Sequence, residues 1–190
     1  LYRIADLSRN DWSKLFSGFR YRFFGPEQTS NFFTALSRLV RSYGSLSACF
    51  RSCEGKDDET ILKALKGFYE RFLAFAPAPI GILLANPLKN SACKRLNLFL
   101  RWMVRRDSVD PGGYEFFHRS QLIVPLDTHM FQIGKNMGLL KRNTVSKAAA
   151  LELTNAFREI CREDPVRYDF CLSRFGIHPN IKLIKLSYHI

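Results

Sequence analysis

Apolar residues in this chain recur at the spacing of a helix and scarcely anywhere at the spacing of a strand. A helix returns a side chain to the same face every three or four residues, a strand every second residue. Residues 29–43, TSNFFTALSRLVRSY, place Phe32, Phe33, Leu36, Leu39, Val40 and Tyr43 on one face, and Gly44 ends the run. Residues 58–75, DETILKALKGFYERFLAF, repeat Ile61, Leu62, Leu65, Phe68, Tyr69 and Phe72 until Pro77 and Pro79 stop the pattern. Residues 91–106, SACKRLNLFLRWMVRR, align Leu96, Phe99, Leu100 and Met103, and DSVDPGG at 107–113 has the composition of a loop. Further helices are expected over 128–137, closed by Gly138, over 144–161, and over 165–175 with Pro165 at the start. The expected fold class is all-α: six or more helices over residues 1–190, one domain with room for two lobes. Hydrophobic residues make up 46% of the chain, enough to fill such a core.

The charge balance narrows the partners. Lysine and arginine number 29 against 17 acids, a net charge of +12. Such an excess speaks to what the protein meets, not to how it folds. A polyanion is the simplest partner, and nucleic acid is the commonest polyanion. A domain that is merely basic is the plain alternative, and a membrane surface ranks third because no basic amphipathic terminus stands out. No apolar run approaches the ~20 residues that span a bilayer, and no signal peptide is evident. The sequence opens on Leu1, so a preceding segment is expected.

The five cysteines, Cys49, Cys53, Cys93, Cys161 and Cys171, are odd in number and scattered in spacing. None forms a CxxC pair, which argues against a zinc ribbon or finger. No compact four-cysteine run is present to hold an iron–sulfur cluster. They read as reduced thiols, mostly in the core of an intracellular protein, with no metal and no cofactor expected.

Two placements invite chemistry. In LIVPLDTHMFQIGKNMG, residues 122–138, Asp127 follows an apolar run and a proline and immediately precedes a helical pattern. An aspartate there is a good N-cap, and it is equally a rigidly aimed carboxylate. In PLKNSACKRLNLFLRWMVRR, residues 87–106, Lys94 falls in the first turn of its helix, where the dipole disfavours a charged lysine. An uncharged lysine is a nucleophile. Lys94, Leu98, Arg101 and Arg105 lie along one helical stripe with Arg95 adjacent, and a solvated basic face touching phosphates is the competing reading. The turn before it, Pro87 to Ser91, feeds a helix N-terminus and suits a phosphate.

Together these pieces resemble the helix-hairpin-helix DNA glycosylase superfamily. VPLDTHMFQIG at 124–134 looks like the Val-Pro-x-Asp-x-His-Met stretch of 8-oxoguanine DNA glycosylases, with Asp127 on the catalytic aspartate and Lys94 on the lysine of bifunctional members. More closely, NSACKRLNLFLRWMVRRD, IVPLDTHMFQIG, DPVRYDFCLSRFGI and FRYRFF at 19–24 are similar to a bacterial family of unknown function linked to that superfamily. The turn departs from the glycine-rich hairpin: it reads Lys89-Asn90-Ser91-Ala92. Lys94 and Asp127 also stand 33 positions apart, with DSVDPGG supplying the extra length, as in archaeal 8-oxoguanine glycosylases.

The resemblance implies a monomeric base-excision repair enzyme of the bacterial cytoplasm, associated with the nucleoid. It would act on duplex DNA containing a damaged base, with 8-oxoguanine the expected lesion and the cleft near 87–94 and 124–129. Lys94 would attack the sugar and Asp127 would assist. Lys89, Asn90, Ser91, Arg95, Arg101, Arg105 and His129 are the expected nucleic-acid contacts. Trp102 is expected in the core, and Tyr168, Asp169 and Phe170 are candidates for the border of a base pocket, with Phe170 as readily core. Two alternatives stand beside this reading: a helical module that binds nucleic acid without catalysis, and a monofunctional glycosylase in which Asp127 activates water.

Overall fold

The structure is a computed structural model that describes residues 2–55 and 58–177. Nine α-helices and two short 3-10 turns are described, with no strand among the described residues. The helices are α1 (Tyr2–Asp6), α2 (Arg9–Leu15), α3 (Pro26–Tyr43), α4 (Leu46–Arg51), α5 (Leu62–Phe75), α6 (Lys94–Val104), α7 (Thr128–Asn136), α8 (Lys147–Ile160) and α9 (Asp169–Ile177). No helix among the described residues is long and apolar enough to cross a membrane. The described residues divide into two compact units, one built from 2–55 and 63–85, the other from 58–62 and 86–177.

The first unit is organised around α3, which packs against α1, α2 and α4. Helix α3 begins earlier than the apolar pattern suggested, because Pro26 occupies its first position and Gly25 its N-cap. Trp12 of α2 is buried between Phe16 and Phe33, and its indole N–H donates to the Ser37 hydroxyl at 2.8 Å. Phe50 of α4 stacks on Phe68 of α5, with ring centroids 4.0 Å apart. Between α2 and α3 the chain makes a tight turn at 21–24. Tyr21 and Phe24 exchange backbone hydrogen bonds of 3.1 and 3.0 Å, and Arg22 takes a φ of +55°. Phe23 projects from that turn, 82% exposed.

The second unit buries the continuous run Leu122 to Leu126. The Val124 N–H inside this run donates to the Thr154 hydroxyl of α8 at 3.0 Å, so an extended segment is satisfied without a sheet. Helices α7 and α9 pack together. Gly134 brings α7 close to its neighbours: a Cβ there would stand 2.8 Å from Leu140 and 3.1 Å from Leu153.

Several expected boundaries shift for physical reasons. Helix α5 starts at Leu62, not at 58, because the preceding residues serve the second unit: the Ile61 N–H donates to the Gln121 carbonyl at 3.0 Å, and Gln121 reaches the Asp58 carbonyl at 2.7 Å. Helix α9 starts at Asp169, not at Pro165. Asp164, placed to cap an earlier start, binds Arg105 instead. Helix α8 starts at Lys147, where the Ser146 hydroxyl accepts the Ala149 N–H at 3.1 Å.

Candidate active site

Lys94 is the first residue of α6, and the residue before it is unusual. Cys93, at the N-cap, has φ +47° and ψ +38°, the left-handed region that costs a side-chain-bearing residue about 1–2 kcal/mol. The surroundings hold it there. The Ser91 hydroxyl accepts the Cys93 N–H at 3.2 Å, the Cys93 carbonyl accepts the Asn97 N–H at 3.0 Å, and the Asn97 amide donates to the Ala92 carbonyl at 2.9 Å. The Cys93 side chain is buried, and that burial pushes its thiol up from the ordinary value. Strain of this kind, held by its surroundings, fixes the direction in which the next residue leaves the chain.

The turn before this corner is also anchored. Asn86 caps it by accepting the Leu88 N–H at 2.8 Å, and the Asn90 carbonyl accepts the Lys147 N–H at 3.3 Å. The Lys147 ammonium donates to the Pro87 carbonyl at 3.2 Å. The segment leading into the turn is not the first helix of a hairpin. Between Phe75 and Lys94 the only helical element is the 3-10 turn Gly81–Leu83, because Pro77, Pro79 and Pro87 interrupt the backbone pattern an α-helix needs.

Asp127 is the N-cap of α7, and its two oxygens have separate partners. Oδ1 accepts the Met130 N–H at 2.9 Å; Oδ2 lies 3.3 Å from the Lys94 ammonium. The buried run 122–126 delivers the carboxylate, and the cap bond locks its rotation. The residues that stand 33 positions apart in sequence therefore meet at their charged atoms. Both stay accessible, with side chains 43% and 31% exposed. Lys89, Asn90, Arg95 and His129 are also exposed, and Ser91 is partly so, though its hydroxyl is occupied by the Cys93 N–H.

Arg101 and Arg105 do not belong to that surface, and this corrects the expectation that they contact phosphates. Arg101 is 4% exposed and bonds both oxygens of Asp110 at 3.2 Å as well as the carboxylate of Asp169. Arg105 bonds Asp110 at 2.9 Å and also pairs with Asp107 and Asp164. Both guanidinium groups are turned onto carboxylates inside the unit, with side chains only 4% and 11% exposed, and not toward the surface where a backbone phosphate would lie. Asp169 is thereby a member of the buried network and not an open pocket wall; burial pushes its carboxyl above the ordinary carboxylate range, against the pull of Arg101, and the charge of Asp127 adds to the upward push. Trp102, expected in the core, is 44% exposed. Tyr168 is 40% exposed, and Phe170 lies under the Arg101 and Arg174 guanidinium groups at 5.8 and 4.8 Å.

A surface cavity of about 350 Å³ opens at the far end of α6, lined by Arg105, Arg106, Glu115, His118, Arg119 and neighbours. Neither Lys94 nor Asp127 lines it. Among the described residues, no group of three or more His, Cys, Asp or Glu side chains is placed to hold a metal ion.

No curated protein and no solved structure matches this chain. A family model does match, over residues 3–178, and its family is described as a protein of unknown function. That span covers nearly the whole sequence, and the chain therefore belongs to the DUF2400 family.

Proposed function

We propose that the protein is a DNA glycosylase with abasic-site lyase activity, acting on an oxidised purine, with 8-oxoguanine as the first lesion to test. The observation that carries the reading is the accessible Lys94–Asp127 pair at 3.3 Å, built at two helix starts by a strained corner and a buried strap. A lysine at the first position of a helix sits where the dipole opposes its charge, and a carboxylate within reach can take the proton that a nucleophilic amine must lose.

The chemistry follows from that geometry. With the damaged nucleotide turned out of the duplex, the Lys94 nitrogen attacks the anomeric carbon of the sugar and the bond to the base breaks. Asp127 Oδ2 receives the lysine proton or faces the positive charge that develops on the sugar, while Oδ1 remains the helix cap. Ring opening gives a Schiff base between Lys94 and the sugar, from which β-elimination cuts the strand. The net charge of +12 supplies a general attraction for the phosphate backbone, and Lys89, Asn90, Ser91, Arg95 and His129 are the local contacts proposed around the pair. Within the first unit, residues 19–23 alternate Phe19, Tyr21 and Phe23 with Arg20 and Arg22 and so combine exposed rings with cations, the pairing that nucleic-acid bases stack on.

Borohydride trapping tests this reading. Duplexes carrying 8-oxoguanine, uracil, hypoxanthine, an oxidised pyrimidine or an abasic site are incubated with the protein and reductant, beside a Lys94→Gln control. A covalent adduct on a base lesion, absent from the control, is the expected result and names the substrate. No adduct on any duplex, with binding intact, overturns the lyase reading in favour of a binding module or a water-activating glycosylase.

A further inference from the structure

A second cluster of reactive groups lies in the first unit, at the end of α4, with no part in the chemistry proposed for Lys94 and Asp127. Cys49 is fully buried in that helix, and Cys53 follows one turn later, half-buried, just past the C-cap Ser52. Arg71 of α5 reaches across to both. Its Nη1 donates to the Cys49 carbonyl at 3.3 Å, to the Ser52 hydroxyl at 2.8 Å and to the Cys53 sulfur; its Nη2 donates to the Ser52 carbonyl at 3.0 Å. Among the described residues no carboxylate pairs with Arg71. A guanidinium cannot shed its charge, so its available counter-anion here is the Cys53 thiolate.

The packing makes room for that sulfur. Gly67 lies one turn before Arg71 on α5, and a Cβ there would stand 3.1 Å from the Cys53 sulfur and 3.3 Å from its Cβ. A glycine inside a helix costs about 1 kcal/mol relative to alanine, so this close approach carries a cost in stability. The two thiols are also electrostatically unequal. A hydrogen bond from Cys49 lowers Cys53 to about 7, with Arg71 adding to the effect, while the same bond and burial push Cys49 up. Near neutrality Cys53 is divided between thiolate and thiol, the thiol form donating to the Cys49 carbonyl at 3.2 Å, while Cys49 keeps its proton.

We propose that Cys53 is a hydroperoxide-reactive thiolate and that Cys49 resolves its sulfenic acid as an intramolecular disulfide. In the first step the Cys53 thiolate attacks the distal oxygen of a hydroperoxide. The O–O bond breaks, an S–O bond forms, and the leaving alkoxide or hydroxide takes a proton from water. Sulfur loses two electrons and the peroxide gains them. In the second step the Cys49 sulfur displaces hydroxide from Cys53–SOH; its own proton leaves with that hydroxide as water. Residues one helical turn apart have Cα atoms about 6 Å from each other, within the range a disulfide accepts. The product withdraws the anion from Arg71, which retains only neutral acceptors, and a low-molecular-weight dithiol returns both cysteines to the starting state.

The experiment uses the full chain, hydrogen peroxide as oxidant and peptide mass spectrometry after blocking free thiols. Trypsin cuts after Arg51, so a Cys49–Cys53 disulfide joins peptide 42–51 to peptide 52–56 and is read directly. The exposed Cys171 is the internal reference. The expected result is the joined peptide, formed before Cys171 is modified. Cys49→Ser is expected to leave Cys53 as a sulfenic acid that dimedone captures. The rate of Cys53 alkylation by iodoacetamide, followed against pH in the unmodified protein, should reach half its plateau near pH 7 and exceed that of Cys171 at pH 7 roughly five- to tenfold. Arg71→Gln should move that midpoint upward. A midpoint at the ordinary thiol value in the unmodified protein, or Cys171 oxidising before any joined peptide appears, would show that Arg71 is only a cap on α4 and would overturn the proposal. The readouts need neither DNA nor Lys94, so their outcome is independent of the glycosylase reading.

Discussion

Helix α6 carries ion pairs near both ends, and the two arrangements could hardly differ more. At its start, Lys94 meets one carboxylate at 3.3 Å, and both partners are open to solvent. Farther along, Arg101 and Arg105 share Asp107, Asp110, Asp164 and Asp169, with Arg101 and Asp110 essentially sealed from water. An exposed pair contributes about 0–1 kcal/mol to folding, so stability alone gives little reason for the strained corner and the buried strap that position it. A buried network is different: removing one member strands the charge of the others. The helix thus separates a cation that remains available from cations that are consumed, and sequence spacing alone had put all three on one stripe.

The sharpest way to break this comparison is to remove one member at each end. Lys94→Gln should abolish borohydride trapping while changing unfolding free energy by less than about 1 kcal/mol, since only an exposed pair is lost. Asp127→Asn keeps an N-cap oxygen for Met130 but loses the proton acceptor, and should slow the single-turnover rate by about 10²- to 10⁴-fold. A Lys94→Gln variant that unfolds several kilocalories per mole more easily would place Lys94 with the structural cations instead. Arg101→Ala should do the opposite of Lys94→Gln. Leaving Asp169 buried without its guanidinium, and Asp110 with Arg105 alone, costs about 3–5 kcal/mol, measurable by urea unfolding. An Arg101→Ala protein of unchanged stability that binds DNA less steeply with salt would return Arg101 to the phosphate-contact list.

The same contrast explains what could and could not be read in advance. Helices α3, α5, α6, α7 and α8 were legible because each buries one face, and a 3.6-residue period survives in the sequence, whereas α9 was anticipated from Pro165 and Gly176 beside it. The short α1, α2 and α4 are too brief to show a period, although the Ser8–Asp11 capping box of α2 was there to be found. Asp127 was legible as a cap that also aims, since both roles follow from its position before a helix. That it meets Lys94 depends on tertiary packing across 33 residues, which no local pattern encodes. Arg101 and Arg105 were misplaced for a related reason. Their carboxylates come from the 107–113 loop and from around α9, so a stripe of cations looked unpaired when read along one helix. The left-handed Cys93 had no signal at all, because glycine is the residue that usually marks such a corner.

A smaller effect sharpens the buried side of the comparison. Gly112 holds the loop that delivers Asp110 beneath α6: its φ is +74°, its N–H donates to the Trp102 carbonyl at 2.9 Å, and a Cβ would stand 3.0 Å from the Arg106 side chain and 3.2 Å from the Arg105 carbonyl. Gly112→Ala should cost about 1–2 kcal/mol from backbone strain, with added loss where the loop shifts, and should leave trapping at Lys94 intact. A loss of trapping equal to the loss of folded protein would instead mean that the two ends of the helix act as one unit.

The smallest expected effect lies at the rim of the network and appears only in acid. Asp107 bonds Arg105 and accepts the backbone N–H groups of Val109 and Asp110 at 2.7 and 2.9 Å. Those contacts, the Arg105 guanidinium first, hold its carboxyl at about 2 against an ordinary 3.8. A depressed carboxylate contributes stability that is fully present above the ordinary value and is lost as pH falls through the folded one, so its window runs from about 4 down to 2. The side chain is 35% exposed, and solvent screening limits the contribution to about 1 kcal/mol or less. Asp107→Asn keeps an oxygen for the two N–H groups but removes the titration. Its unfolding free energy should therefore flatten relative to the parent between pH 4 and pH 2 and run parallel to it above pH 4. Identical acid limbs in the two proteins would mean that Asp110 and Asp164 hold Arg105 without help from the rim, confining the network to its buried members.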